Sequence, residues 1–159
     1  MPNPDSPEIE RWVPYLASKV GRPDIDTYFV GHSVGGQTVL RYLEGLEANE
    51  KVGGVLLAAS WINLKKASFE KAGDEKIAKP WIETPIKWKR ILDHTRNFTA
   101  IFSDDDPYVP LKTADIFKQR LGAKIVFEHN KGHLTDETGI KKLDSIRDEL
   151  LLLMERPKI

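Results

Sequence analysis

Gly31-His32-Ser33-Val34-Gly35 places a serine between two glycines in the Gly-x-Ser-x-Gly spacing of a nucleophile elbow. A serine hydroxyl is a weak nucleophile near neutral pH. It needs a base to take its proton and an acid to hold that base in the right tautomer. The sequence supplies candidates for both, downstream and in the order Ser, Asp, His. The acid lies in Ser103-Asp104-Asp105-Asp106-Pro107-Tyr108-Val109-Pro110, and the spacing alone leaves the three aspartates open. The base is His133 in Asn130-Lys131-Gly132-His133-Leu134. Any aspartate that does not serve the histidine is expected to cap the helix starting near Lys112-Thr113-Ala114. His32 fills the variable position of the elbow and is expected to shape the turn. His94 and His129 are read as surface or packing residues. Four histidines and no cysteine give no spaced metal cluster, so neither metal nor cofactor is expected.

These groups work only if the fold brings them together. The elbow requires a strand before it and a helix after it. Asp26 to Val30 reads as that strand, and Gln37 to Leu46 as that helix. Glycine on either side of the serine is expected to let strand and helix approach closely around a strained serine. Val52 to Ala59 is a continuous apolar run, as in a strand buried on both faces. Asn97 to Ser103 and Ala123 to Glu128 read as two further strands, with a helix between them through Ala114, Ile116, Phe117 and Leu121. Both the aspartates and His133 then fall just after carboxyl ends of strands, on the sheet edge that carries the elbow.

Two helices flank this alternation. The first starts at Ser6 as cap with Pro7 at its first position, and carries Ile9, Trp12, Val13, Leu16 and Val20 until Gly21 stops it. Pro14 lies inside and is expected to bend or shorten it. The last runs from Gly139 to Met154, with Ile140, Leu143, Ile146, Leu150 and Leu153 on one stripe. Strands alternating with helices imply a three-layer α/β fold, a parallel sheet of about four strands with helices on both faces. Residues 62–96 break the rhythm and are lysine-rich. They read either as a short cap over the pocket or as a solvated connection with one helix, Ile86 to Leu92.

The chain has 159 residues and reads as a single domain, 1–159, with 62–96 as a cap-like insertion. Lys+Arg and Asp+Glu number 24 each, which disfavours a broad nucleic-acid-binding surface. No apolar run approaches transmembrane length, so no membrane partner is expected. Met1-Pro2-Asn3-Pro4-Asp5 is polar and proline-rich, unlike a signal peptide. With the absence of cysteine, this leads to the expectation of a cytoplasmic protein.

At Gly31-His32-Ser33 with Gly35, at Ser103 to Pro107 with Val109-Pro110, and at Gly132-His133, the chain resembles the small serine hydrolases of the retinoblastoma-binding protein nine and YdeN type. Met1 to Asp5 looks like that family's linker before the helix with Trp12, Val13 and Pro14. Pro80-Trp81 and Trp88 look like its short cap. The resemblance implies an α/β-hydrolase fold and selects Asp106, because hydrolases of this fold tend to read Asp-x-x-Val-Pro after the strand. It implies acyl transfer on small esters or amides: Ser33 attacks, His133 relays the proton, Asp106 orients His133, and the Val34 amide donates to the oxyanion. It also implies a strand–loop–helix unit of roughly 30–40 residues ahead of Met1, whose loop supplies a second oxyanion amide. Without that unit, Asp26 to Val30 is expected to form an open edge, through which the chain either forms a homodimer or aggregates, and activity is expected to be weak. The rival expectation is a hydrolase relic that serves as a protein-interaction module.

Overall fold

The computed structural model describes residues 1–70, 73–136 and 142–157. Four strands, β1 (Tyr28–His32), β2 (Gly54–Ala58), β3 (Phe98–Ser103) and β4 (Lys124–Glu128), form one sheet in the order β1-β2-β3-β4, with every neighbouring pair parallel. Among the described residues the helices are α1 (Ile9–Val20), α2 (Val34–Glu44), α3 (Asp74–Glu83), α4 (Trp88–His94), α5 (Lys112–Leu121) and α6 (Asp144–Met154), with a short 3-10 helix at Lys66–Phe69.

All four expected strands are present, with their ends displaced by two residues or fewer. β1 moves most. Asp24 holds Thr27 in a turn, accepting from its hydroxyl at 2.9 Å, so pairing with β2 starts only at Tyr28 and runs to His32. The central strands β2 and β3 are buried on both faces, the outer strands β1 and β4 only in part, and the period-2 alternation sorts their side chains. Phe29, Val55, Leu57, Phe98, Ala100 and Phe102 join one core, under α1, α2, α4 and α5. Leu56, Ala58 and Ile101 join the other, closed by Leu153 of α6. Helices thus cover both faces of a parallel sheet, the α/β-hydrolase arrangement expected.

The helix ends differ from the sequence reading. Ser6 does not cap α1: its amide bonds to the Asn3 carbonyl at 3.0 Å, and the N-cap residue is Glu8. The first residues fold into a turn anchored by two indoles, Trp12 Nε1 donating to the Pro2 carbonyl (2.7 Å) and Trp81 Nε1 to the Pro7 carbonyl (2.9 Å). Pro7 is therefore a docking point for α3 and not the first helical residue. Pro14 does not end α1, which runs twelve residues through it. Pro14 is exposed, so the Glu10 carbonyl that loses its partner lies on the solvent side, where water can satisfy it. The expected closing helix begins at Asp144, and Gly139 and Ile140 lie outside the described residues.

Between β2 and β3 the chain forms more than one helix. α4 replaces the expected Ile86 to Leu92 helix and packs on α2 and α5, with Ile91 and His94 buried. α3 and the 3-10 helix lie ahead of it. Arg41 of α2, only 6% exposed, fixes α3 by donating to Gln37 Oε1 (3.1 Å) and to the carbonyls of Trp81 (3.0 Å) and Thr84 (2.9 Å). Its guanidinium also lies 5.9 Å from the Trp81 ring centre.

Candidate active site

Ser33 sits between β1 and α2 with φ 54° and ψ −125°, a left-handed conformation that costs a non-glycine residue about 1–3 kcal/mol. The turn is held from both sides. The Ser33 amide donates to the Ala58 carbonyl of β2 (2.9 Å), and the Ser33 carbonyl accepts from the Gly36 amide (3.1 Å). Glycine is needed where the backbones close on each other. A Cβ on Gly31 would lie 2.6 Å from the Gly36 Cα, and a Cβ on Gly36 would strike the Ser60 side chain, with Ser60 Cβ at 2.6 Å. Gly35 has open space where its Cβ would be. The second glycine of the motif is therefore not the close-approach residue expected from the sequence. The next one, Gly36, is.

The aspartate-rich segment follows β3, and His133 follows β4, so neighbouring strands deliver them to the same edge. His133 Nδ1 lies 2.9 Å from Asp106 Oδ2, and His133 Nε2 lies 3.0 Å from Ser33 Oγ. A carboxylate can only accept, so Nδ1 carries the proton, leaving Nε2 as the acceptor for the serine hydroxyl. The Asp106 side chain is 2% exposed. Its other oxygen accepts from the amides of Tyr108 (2.8 Å) and Val109 (3.0 Å), the turn made by Asp106-Pro107-Tyr108-Val109. A buried carboxylate with three donors is oriented as well as charged. The edge of Tyr108 packs on the His133 ring at 5.2 Å.

The other two aspartates do not cap α5, whose N-cap residue is Leu111 without a side-chain bond. They hold the histidine loop. Asp104 accepts from His129 Nδ1 (2.6 Å) and the Asn130 amide (3.0 Å). Asp105 accepts from the Gly132 amide (2.8 Å) and from the Ser103 hydroxyl (2.6 Å), which itself accepts from the Lys131 amide (2.9 Å). These bonds draw the carboxyls of Asp104 and Asp105 below the usual carboxylate range, the His129 and Ser103 bonds contributing most, and Asp104 raises the His129 imidazole in return. His129 thus has a partner that the sequence reading did not supply, although it stays exposed. His94 is a packing residue, buried and bonded through Nδ1 to the Glu50 carbonyl at 2.8 Å.

His32 does shape the turn, but through the histidine loop. Its Nε2 donates to the His133 carbonyl (2.8 Å), and the two rings lie 5.0 Å apart. One face of His32 is exposed; the crowded side lowers its pKa by desolvation, opposed in part by that carbonyl. Trp61, just beyond β2, was not read from the sequence as a site residue. Its indole Nε1 lies 3.2 Å from Ser33 Oγ. The signal available was a tryptophan immediately after the carboxyl end of the most apolar strand. Val34, the first residue of α2, carries one of the amides that a helix start leaves without an internal acceptor. Among the described residues no group of three or more His, Asp or Glu side chains is placed to hold a metal ion. No helix among them is long and apolar enough to cross a membrane.

A cavity of about 360 Å³ opens onto Ser33 and His133. Its walls are mixed: Val34, Trp61, Leu64, Ile77, Ala78 and Trp81 give an apolar stretch, and Ser68, Tyr108 and the carboxylates of Asp5, Glu70 and Asp74 line it as well. Several of these belong to residues 62–96.

The comparisons with known proteins agree with this architecture. The chain is similar to YdeN of Bacillus subtilis (strain 168), with 27% identity over 150 residues, covering 94% of this chain and 75% of YdeN. To the serine hydrolase RBBP9 of Rattus norvegicus it is 26% identical over 134 residues, covering 84% of this chain and 66% of that protein. The crystal structure of the B. subtilis ydeN product superposes with a TM-score of 0.85 at 24% identity, over 98% of this chain and 80% of that one. A meta-cleavage product hydrolase of Pseudomonas fluorescens IP01 shares the fold more distantly, with a TM-score of 0.53 at 12% identity over 96% of this chain and 72% of that one. The profile of the serine hydrolase family matches residues 1–151. A match across nearly the whole chain, on a fold that sets an elbow serine beside a histidine, shows that the chain belongs to the serine hydrolase family.

Proposed function

We propose that the chain hydrolyses small esters or amides by acyl transfer, with Ser33 as nucleophile, His133 as general base and acid, and Asp106 as its orienting carboxylate. The unbroken series Asp106–His133–Ser33, with contacts of 2.9 and 3.0 Å, carries this reading. Ser33 Oγ attacks the substrate carbonyl carbon as its proton passes to His133 Nε2, and the carbonyl π electrons move onto oxygen. The Val34 amide donates to that oxyanion. Collapse expels the alcohol or amine, which takes the proton from His133. Water then attacks the acyl-enzyme, giving a proton to Nε2; collapse breaks the bond to Ser33 Oγ, which takes that proton back from His133 as the carboxylic acid leaves.

The apolar stretch of the cavity wall supports a small acyl group or leaving group, and the described residues of 62–96 act as a short cap over it. The test is a burst experiment with p-nitrophenyl acetate. One equivalent of p-nitrophenol per chain should appear rapidly, followed by slower turnover, and mass spectrometry of the quenched protein should find acetyl on Ser33. Acetyl found only on lysines, with the same release from Ser33→Ala, would refute the reading.

A further inference from the structure

Ser33 Oγ is held by two groups. It donates its proton toward His133 Nε2 and accepts from the Trp61 indole N–H at 3.2 Å. We propose that Trp61 is a catalytic residue of this site, whose indole N–H fixes the Ser33 hydroxyl rotamer and stabilises the negative charge that develops on Oγ. The proposal rests on Ser33 being the nucleophile.

The chemistry follows from the valences of the oxygen. Ser33 Oγ has two lone pairs. With its proton directed to His133 and one lone pair bonded to Trp61, the other lone pair is left to attack. As the proton moves to His133, charge accumulates on Oγ, and a donor aimed there gains strength as it does so. The resting separation of 3.2 Å lies at the long end for an N–H···O bond, so it has room to shorten as charge appears. Oγ is again the charge-bearing atom when the acyl-enzyme breaks down, so the same donor assists both halves of the reaction. The indole keeps its proton throughout: the only proton transferred from Oγ goes to His133 and from there to the leaving group.

Two further observations separate this role from that of a mere pocket wall. Trp61 is 5% exposed, so without Oγ its N–H would be a buried donor with its bond to water gone. The path that carries it there is also strained. Ala59 has φ 44°, and Ser60 turns inward to donate to the Gly31 carbonyl of the elbow strand at 3.1 Å. Among the described residues the non-glycine residues with positive φ are Asn3, Ser33, Ala59, Asn130 and Leu134. One of these is the elbow serine, two flank His133 within three residues, and Ala59 lies two residues before Trp61. Strain of this kind persists where the surrounding structure holds a reactive arrangement in place. Its placement treats Trp61 as a third member of the set, after Ser33 and His133.

The experiment replaces Trp61 with β-(3-benzothienyl)alanine, which keeps the bicyclic shape and puts sulfur where the N–H was; Trp61→Phe serves as a second variant. A fluorophosphonate should label both about ten- to a hundredfold more slowly than the unmodified chain, and kcat for p-nitrophenyl acetate should fall with KM nearly unchanged. A role limited to lining the pocket would move KM in Trp61→Phe and leave the benzothienyl variant fully active. Labelling of that variant at the unmodified rate, with Ser33→Ala unlabelled, overturns the role of Trp61 and leaves the nucleophile standing. Labelling that persists in Ser33→Ala overturns both. Independently of turnover, the indole proton resonance of Trp61 should move upfield in Ser33→Ala as its acceptor disappears; an unmoved resonance shows that the hydrogen bond does not exist in solution and overturns the proposal.

Discussion

Three consecutive aspartates do three different things, and only their geometry tells them apart. Asp106 reaches His133, Asp105 clamps Gly132, and Asp104 holds Asn130 and His129. Asp106→Asn should lower kcat by a factor on the order of 10⁴, because the amide nitrogen facing Nδ1 favours the wrong imidazole tautomer. Asp105→Asn and Asp104→Asn keep an oxygen for the loop amides and should cost roughly tenfold or less, since they act on the placement of His133 and not on its proton. Comparing kcat of the three variants on one ester decides it, and equal losses would contradict the assignment. Spacing alone leaves the three aspartates open, and the choice of Asp106 comes from the resemblance, whose Asp-x-x-Val-Pro register fits Asp106 to Pro110. The sequence carried nothing that distinguishes a helix cap from a clamp on a loop some 25 residues away, because both tasks ask only for a carboxylate after a strand.

At the scale of elements, the elbow turns on a glycine outside its motif. Gly35→Ala adds a Cβ into open space in the first turn of α2, and should be neutral or stabilise by about 0.5–1 kcal/mol through reduced backbone entropy. Gly36→Ala drives a methyl into Ser60 and should destabilise by about 1–3 kcal/mol. Urea unfolding of the two variants measures the contrast; a Gly35→Ala variant as damaged as Gly36→Ala would show that the elbow backbone differs from that described. The central strands β2 and β3 were legible as apolar runs buried on both faces, and the outer strands β1 and β4 as short β-prone segments bounded by turn residues. Helix starts were less so. Ser6-Pro7 carries a good cap signal, yet the indoles of Trp12 and Trp81 pull Pro2 and Pro7 into a tertiary turn, and α1 starts at Ile9 instead. The placement of α3 was not legible at all. It depends on Arg41 donating to carbonyls some 40 residues away, a long-range bond that no local pattern announces.

For the whole molecule, the three chemistry-bearing segments lie about 30 to 100 residues apart and meet because parallel strands return to the same edge. The loop that carries His133 is tied down by Asp104, Asp105 and His32, so stability should register the titration of His32. Burial lowers the His32 pKa in the folded chain, so below the ordinary histidine value of 6.5 the unfolded state takes up the proton first. Stability should therefore fall as pH drops below about 6.5, and the fall should be shallower in His32→Gln. The raised His129 works in the opposite direction, but it is exposed and solvent-screened, so its share is small. Thermal unfolding from pH 5 to 8 for the two proteins makes the comparison, and parallel curves would contradict it.

Site-resolved labelling by a fluorophosphonate tests the central claim most directly. A single adduct per chain is expected, located on Ser33 by peptide mass spectrometry, absent from Ser33→Ala and strongly slowed in His133→Ala. An adduct on any other serine, or labelling of Ser33 at the same rate without His133, would contradict it.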